Sequence, residues 1–252
     1  MTASHSYLNQ IFYIPKKFDD LDCIQKFMLS HETFNNYQSK SASIQVAEKE
    51  TSDLYRPKQR DTLFWGLFVA HHGINEYNMI QNKHKNREME EKHTILSFIQ
   101  KNNNMIKETA KQSAHKLSQV RLKEIQSELL LDKNTSNYVF FVMCVYYKVN
   151  AIIQIDNMYM HFQTGSTETL LFTKINNTYE VDLIAISQDK LDHIVTTCLL
   201  VPFGQEKPLK GMTGYKVNEL EKMADKLQIS YENTKKQELY NAILVKLVDL
   251  QN

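Results

Sequence analysis

Glycine and proline are scarce in this sequence, which has 6 glycines and 4 prolines in 252 residues. This scarcity excludes collagen-like repeats and the glycine- and proline-rich segments of low complexity that remain unfolded. Three cysteines (Cys23, Cys144 and Cys198) form no CxxC pair, and their odd number argues against a disulfide framework. No GxxxxGK[ST], HExxH, GxSxG or GxGxxG motif occurs, and the histidines lack ligand spacing, so we expect neither a cofactor nor a metal.

A large net charge and a long apolar run are also missing. The chain carries 30 basic and 29 acidic residues, and a net charge of +1 attracts neither nucleic acid nor an anionic membrane as a whole. No window approaches 18 consecutive apolar residues, so the sequence predicts no membrane span. Residues 1–20 include Lys16, Lys17, Asp19 and Asp20 and resemble no signal peptide, so we expect a protein that is not secreted.

The first half of the chain has a helical pattern. Residues 1–54 are polar and are interpreted as an irregular or helical lead-in. The apolar run over 61–80 predicts a buried helix, capped by Asp61 or Thr62 and stopped by Gly73. Residues 83–131 contain neither proline nor glycine, and their apolar residues recur at helical spacing.

The segment 83–131 is interpreted as two amphipathic helices with a break near Asn102–Asn104. Its charged residues fit a solvated helix face. A helix that binds nucleic acid is the alternative, because lysine and arginine are mildly in excess there.

The character of the sequence changes at residue 137. Tyr138 to Tyr147 has the length of a buried helix, and four β-rich stretches follow it. These predicted strands span residues 150–156, 158–162, 170–175 and 179–184, with turns at Asp156-Asn157 and Asn176-Asn177. Helices followed by strands indicate an α+β fold, with a helix-rich body and a small antiparallel sheet over residues 55–202.

Prolines and a glycine within 202–208 mark a domain boundary. The tail, 209–252, is then predicted to form two short helices in a helix-loop-helix module, and Thr234 and Gln237 fit a capping box for the second helix.

This tail resembles the SAP and Rho-termination-factor N-terminal families over about 35 residues. The resemblance rests on a V-x-E-L-x-x-x-A-x-x-L-x-I run from Val217 to Ile229 and a K-K-x-E-L run from Lys235 to Leu239. It implies contact between the start of the second helix and DNA or RNA, with Lys216, Lys235 and Lys236 as candidate binding residues. Residues 206–252 hold eight lysines and seven acids, so a helical pair that docks a protein or only adds stability is the alternative.

The body resembles papain-like hydrolases of the ovarian-tumour (OTU) type in the order of its segments. That family carries its nucleophile in a D-x-x-C-x-F helix and its base at the end of a later strand. Asp61 matches the acid of that motif, Trp65 and Gly66 are the nearest candidates for the cysteine position, and the histidine position falls on Thr178. None of these last three can replace the cysteine or the histidine. The resemblance therefore implies a degenerate site without catalytic residues.

Gly66 also fits plain close packing of the helix against its neighbours, or a protein whose active site is built from different residues. The D-x-L-F-W-x-x-F pattern also resembles uncharacterised proteins of nucleocytoplasmic large DNA viruses, and the abundance of Asn, Lys, Ile and Tyr indicates an A/T-rich genome.

Two functions remain. The first is a non-enzymatic viral binding or structural protein of the virion or host cytoplasm that has a protein partner and touches nucleic acid through its tail. The second is a divergent thiol peptidase, or an inactive pseudo-peptidase that binds a ubiquitin-like partner.

Overall fold

The structure, a computed structural model, describes residues 54–113, 115–131, 133–203, 209–231 and 235–251, all within one compact unit, Ser52–Asn252. In these residues the helices are α1 (Thr62–His72), α2 (Ile74–Met79), α3 (His84–Lys101), α4 (Asn103–Gln112), α5 (Gln119–Leu129), α6 (Asn137–Tyr147), α7 (Gln188–Thr197), α8 (Val217–Lys226) and α9 (Lys236–Gln251). The strands are β1 (Leu54–Tyr55), β2 (Asn150–Ile155), β3 (Met158–Phe162), β4 (Thr169–Ile175), β5 (Thr178–Asp182) and β6 (Leu199–Leu200). Of the predicted lead-in, 1–54, only Leu54 is described, and it begins β1.

The described strands form one six-stranded sheet in the order β1-β5-β4-β2-β3-β6. The α+β class is confirmed, but the sheet is mixed where we expected an antiparallel one: β4 runs parallel to β2, and β6 runs parallel to β3. The reason lies in the hairpin of β2 and β3. Because β3 runs antiparallel to β2, the chain leaves β3 beside the N-terminal end of β2. There the Asn150 N–H donates to the carbonyl of Glu168 (2.9 Å), and β4 starts beside β2 in the same direction.

Helices cover both faces of the sheet. Alternate residues of a strand point to opposite faces, so Ile153 of β2 joins the main core with α1 and α6, whereas Ile152 joins a small cluster with Ile194 of α7. Phe140 of α6 packs edge-on against Phe162 of β3 at 5.0 Å between ring centroids. Burial on several sides explains why α1 and α6 are apolar around most of their circumference.

The predicted helix over 61–80 is two helices, α1 and α2. Asp61 is the N-cap of α1, because its Oδ1 accepts a hydrogen bond from the Phe64 N–H (3.1 Å). Gly73 ends α1, as predicted, with a φ of 88° that glycine adopts without strain. Its own N–H donates to the carbonyl of Val69 (2.8 Å), and α2 begins at the next residue.

The amphipathic segment 83–131 is three helices and not two. The break near Asn102–Asn104 is confirmed, because α3 ends at Lys101 and α4 begins at Asn103. A second break separates α4 from α5. Ser118 caps α5 by accepting a hydrogen bond from the Arg121 N–H (3.1 Å).

The C-terminal residues form a pair of packed helices, α8 and α9, joined by residues 227–235. Their buried side chains recur every three or four residues and form the contact between the two helices. These side chains are Leu220, Ala224, Leu227, Leu239, Ile243 and Leu247.

The helix pair also touches the body. The Lys226 ammonium donates to the carbonyls of Val195 (2.9 Å) and Cys198 (2.8 Å), where the unpaired carbonyls at the end of α7 accept such bonds. The expected boundary at 202–208 is only partly described. Independent folding of 209–252 stays a prediction.

Candidate functional site

Asp61, the first residue of the hydrolase-like motif, is a buried cap. In addition to the Phe64 N–H, Asp61 binds the loop before α6. Its Oδ2 accepts hydrogen bonds from the N–H (2.9 Å) and the hydroxyl (2.8 Å) of Thr135. Burial raises the pKa of Asp61, and the hydrogen bonds and the Lys92 ammonium act against that rise. The carboxylate thus fixes the start of α1 to the loop before α6.

Gly66 lies where α1 approaches the sheet. A Cβ built at this position would lie 2.9 Å from Cε1 of Phe172 on β4 and 3.5 Å from Cγ1 of Val181 on β5. The first distance is shorter than ordinary van der Waals contact, so any larger residue, cysteine included, would force Phe172 to move. This contact supports close packing as the reason for glycine at the centre of a buried helix.

Thr178 is half-buried at the start of β5. Its hydroxyl accepts a hydrogen bond from the Arg56 guanidinium (2.9 Å) and donates to the carbonyl of Ile175 (3.0 Å). The two elements that resemble the catalytic segments are neighbours, since the Thr62 hydroxyl accepts a hydrogen bond from the Tyr179 N–H (2.8 Å). The structure therefore brings α1 and β5 together, but it engages Gly66 in packing and Thr178 in structural hydrogen bonds.

The described residues offer no evident substitute for a catalytic thiol or a metal site. Cys144 is fully buried, and burial raises the pKa of its thiol, so the reactive thiolate is disfavoured. Cys198 is buried beneath α7. In the part of the chain that the structure describes, histidines, cysteines and acids form no group able to hold a metal ion, and no helix is long and apolar enough to cross a membrane.

A buried ionic network beside α1 was not predicted from the sequence. The Lys92 side chain is 8% exposed, and its ammonium pairs with the Glu88 carboxylate and lies 3.6 Å from Oδ2 of Asp61. The second Glu88 oxygen accepts a hydrogen bond from the indole N–H of Trp65 (3.1 Å). Each charge of this network has a partner, so the network holds α3 against α1.

The three lysines predicted to bind nucleic acid lie in the C-terminal helix pair. Lys216 and Lys235 are exposed, and Lys236 is half-buried. Within the described residues, none of the three has a carboxylate within 4.0 Å. The Lys235 carbonyl accepts a hydrogen bond from the Leu239 N–H (3.0 Å), which places Lys235 at the start of α9. Thr234 of the predicted capping box lies outside the described residues.

Two acids of the helix pair are engaged with neighbours. The Lys216 N–H donates to the Glu219 carboxylate (2.7 Å), which satisfies a free donor at the start of α8. The Asp225 carboxylate accepts a hydrogen bond from the Tyr231 hydroxyl (2.8 Å). These bonds direct two negative charges toward groups within the module, while Lys235 and Lys236 remain without a described counter-charge.

Comparisons of the chain with protein-family models, with curated proteins and with solved structures found no match.

Proposed function

We propose that this protein is a non-enzymatic binding protein that contacts the phosphate backbone of DNA or RNA through its C-terminal helix pair. The observation that carries the proposal is the position of Lys235 and Lys236 at the start of α9, without a carboxylate partner among the described residues. The free N–H groups and the dipole at a helix N-terminus already favour an anion, and two adjacent ammonium groups add to that preference.

The packing of the body supports a role without catalysis. Gly66 allows the close contact between α1 and the sheet, and the Thr178 hydroxyl accepts a hydrogen bond from Arg56. A thiol peptidase needs a thiolate and a base in contact across an accessible cleft. No observation in the described residues favours that alternative, whether active or degenerate, so we propose the binding function alone.

The proposal includes a viral source, in which the protein belongs to a virion or to the cytoplasm of an infected host and its body docks a protein partner. The A/T-rich composition and the D-x-L-F-W-x-x-F pattern from Asp61 to Phe68 support this part of the proposal.

The test is a titration of the full chain with duplex DNA, single-stranded DNA and RNA. The variant Lys235→Glu/Lys236→Glu should lose most of the affinity. The matched control is Lys222→Glu/Lys246→Glu, which makes the same charge change on exposed lysines of the same helix pair. The control should bind much more like the wild type, because neither lysine belongs to the first turn of α9.

Salt dependence gives the second readout. Each lysine contact with a phosphate of duplex DNA contributes about 0.9 to the slope of log K against log salt, so the double variant should lower the steepness by about 2. If the two double variants lose affinity equally, net charge and not the start of α9 determines binding, and the proposed site is wrong.

A further inference from the structure

The net positive charge of this chain is concentrated in one stretch of the body. Residues 101–123 hold six basic residues and one acidic residue, out of 30 and 29 in the whole chain, which leaves 24 basic and 28 acidic residues elsewhere. The basic residues are Lys101, Lys107, Lys111, Lys116, Arg121 and Lys123. The rest of the protein is thus slightly acidic, and this stretch is the strongest source of positive potential in the sequence.

The fold shapes part of this stretch into a groove of about 400 Å³. We call it the lysine groove, and it is lined by Lys107, Glu108, Lys111, His115, Lys116 and Leu117. Lys107 and Lys111 are four residues apart on α4 and lie on one side of that helix. Lys116 follows in the turn before α5, so ammonium groups flank the groove from two elements.

The two residues beside Lys116 are anchored by contacts with the rest of the body. The His115 N–H donates to the carbonyl of Ala110 (2.8 Å), and its ring packs on Phe203 with 3.7 Å between ring centroids. Leu117 is 6% exposed and anchors the other side of the turn in the core. Anchoring of His115 and Leu117 restricts the backbone at Lys116, which reduces the entropy that binding costs.

The lysines of the groove have no carboxylate partner. Among the residues that the structure describes, none of Lys107, Lys111 and Lys116 lies within 4.0 Å of an acidic side chain. Lys107 donates a hydrogen bond to the neutral amide of Gln119 (2.6 Å), which fixes its position and leaves its charge uncompensated. Three ammonium groups and one carboxylate, that of Glu108, line the groove, so its net charge is positive and favours a bound polyanion.

We propose that the lysine groove is a second nucleic-acid surface, which binds a phosphodiester backbone of DNA or RNA without reading its sequence. Lysine is a point charge that neutralises phosphates, whereas base recognition uses bidentate groups or stacking aromatic side chains. The one aromatic ring that lines the groove, His115, packs on Phe203, and three of the six lining residues are lysines. The groove belongs to the body and does not depend on the lysines at the start of α9.

The test compares two triple variants of the full chain. Lys107→Gln/Lys111→Gln/Lys116→Gln neutralises the groove, and Lys58→Gln/Lys83→Gln/Lys133→Gln neutralises three exposed lysines outside it. In titrations with a short duplex DNA, the groove variant should bind at least tenfold more weakly at low salt, and its salt slope should be less steep by about 2 to 3. The control variant should keep a larger part of both the affinity and the slope.

Circular dichroism and thermal melting must show both variants folded, and a groove variant that melts lower is replaced by three single substitutions measured separately. Equal affinity of the groove variant and the wild type, or an equal loss in both triple variants, would overturn the inference. Competition with polyglutamate sets the partner class. If polyglutamate of equal charge displaces DNA from the wild type as well as DNA does, the groove binds acidic chains in general and the assignment to nucleic acid is wrong.

This experiment is independent of the C-terminal site. If Lys235→Glu/Lys236→Glu leaves binding unchanged while the groove variant lowers it, the proposed function of α9 fails and the lysine groove remains. The reverse pattern removes the groove and leaves the C-terminal site.

Discussion

The contact between α1 and α3 and the turn between α4 and α5 both carry lysine, but they compensate its charge differently. Lys92 is buried, and it has the carboxylates of Glu88 and Asp61 beside it. In the lysine groove, Lys111 and Lys116 are exposed and have no described acid within 4.0 Å. A buried charge must be paired because its desolvation is costly, whereas an exposed charge is hydrated and needs no partner within the protein.

This difference distinguishes the charged groups that hold helices together from the charged groups on the surface. The network around Lys92 includes Asp61 and Trp65, which belong to the hydrolase-like motif, and it uses them to hold helices together. The lysines of the lysine groove and of the start of α9 lie elsewhere and are among those without a described carboxylate within 4.0 Å. The residues of the motif thus serve packing, and the groups proposed to bind a ligand lie on the basic surfaces.

The largest expected effect comes from removing the buried cation. Lys92→Met should destabilise the fold by about 3–5 kcal/mol, because the buried Asp61 and the half-buried Glu88 would lose their counter-charge. Urea denaturation gives the free energy of unfolding. Lys111→Met, an exposed lysine, is the control and should change it by less than about 0.5 kcal/mol. Similar values for the two variants would mean that burial does not distinguish these lysines.

Gly66 tests the packing between α1 and the sheet. Gly66→Leu should cost about 1–3 kcal/mol through overpacking against Phe172. Gly66→Ala should cost less, because alanine gains up to about 1 kcal/mol in helix propensity over glycine. The double variant Gly66→Ala/Phe172→Leu should show favourable coupling in a double-mutant cycle, since the smaller side chain makes room for the new methyl group. Unchanged melting of Gly66→Leu would contradict the close approach.

His115 should give the smallest effect, and it concerns pH. Burial lowers the pKa of His115 below its usual 6.5, so the unfolded chain binds this proton more readily than the folded chain. As the pH falls through about 6.5, the unfolded state gains protons first, so the free energy of unfolding decreases. The melting temperature of His115→Gln should therefore fall less than that of the wild type between about pH 7 and about pH 5. An equal fall in both proteins would contradict the burial of this ring.

DNA binding near pH 7 gives a companion measurement for the same residue. A neutral imidazole adds no charge to the lysine groove, so His115→Gln should bind DNA about as tightly as the wild type at that pH. A large loss of affinity would mean that His115 itself contacts the ligand.

Elements with a strong local signal were predictable from the sequence. The apolar run of α6, and the aromatic and β-branched residues of β2 and β3 with the turn at Asp156-Asn157 between them, predicted these elements to within a residue or two. The parallel pairing of β2 with β4 was not predictable, because it depends on where the chain lies after β3 and not on side-chain alternation. Helix α7 and the two-residue strand β6 were also missed, since each is short and its apolar signal is weak.

The charged sites were harder to predict than the fold. Lys92 precedes Ile95 and Ile99 by three and seven residues, which places it on the buried stripe of α3, and this spacing was a usable signal. The lysine groove was not evident from the net charge of residues 83–131, because that segment also includes the acidic residues of α3. The break between α4 and α5 brings Lys116 beside Lys107 and Lys111, and that break became visible only in the fold.

The most direct test of the central proposal, that this protein binds phosphate backbones through its basic surfaces, is a titration of the full wild-type chain with duplex DNA at several salt concentrations. The account predicts measurable binding at low salt, little difference between unrelated sequences, and affinity that falls steeply and linearly on a log–log plot as salt rises. Absence of binding at the lowest salt concentration, or binding that does not change with salt, would contradict both basic surfaces and leave protein docking as the function of the C-terminal helix pair.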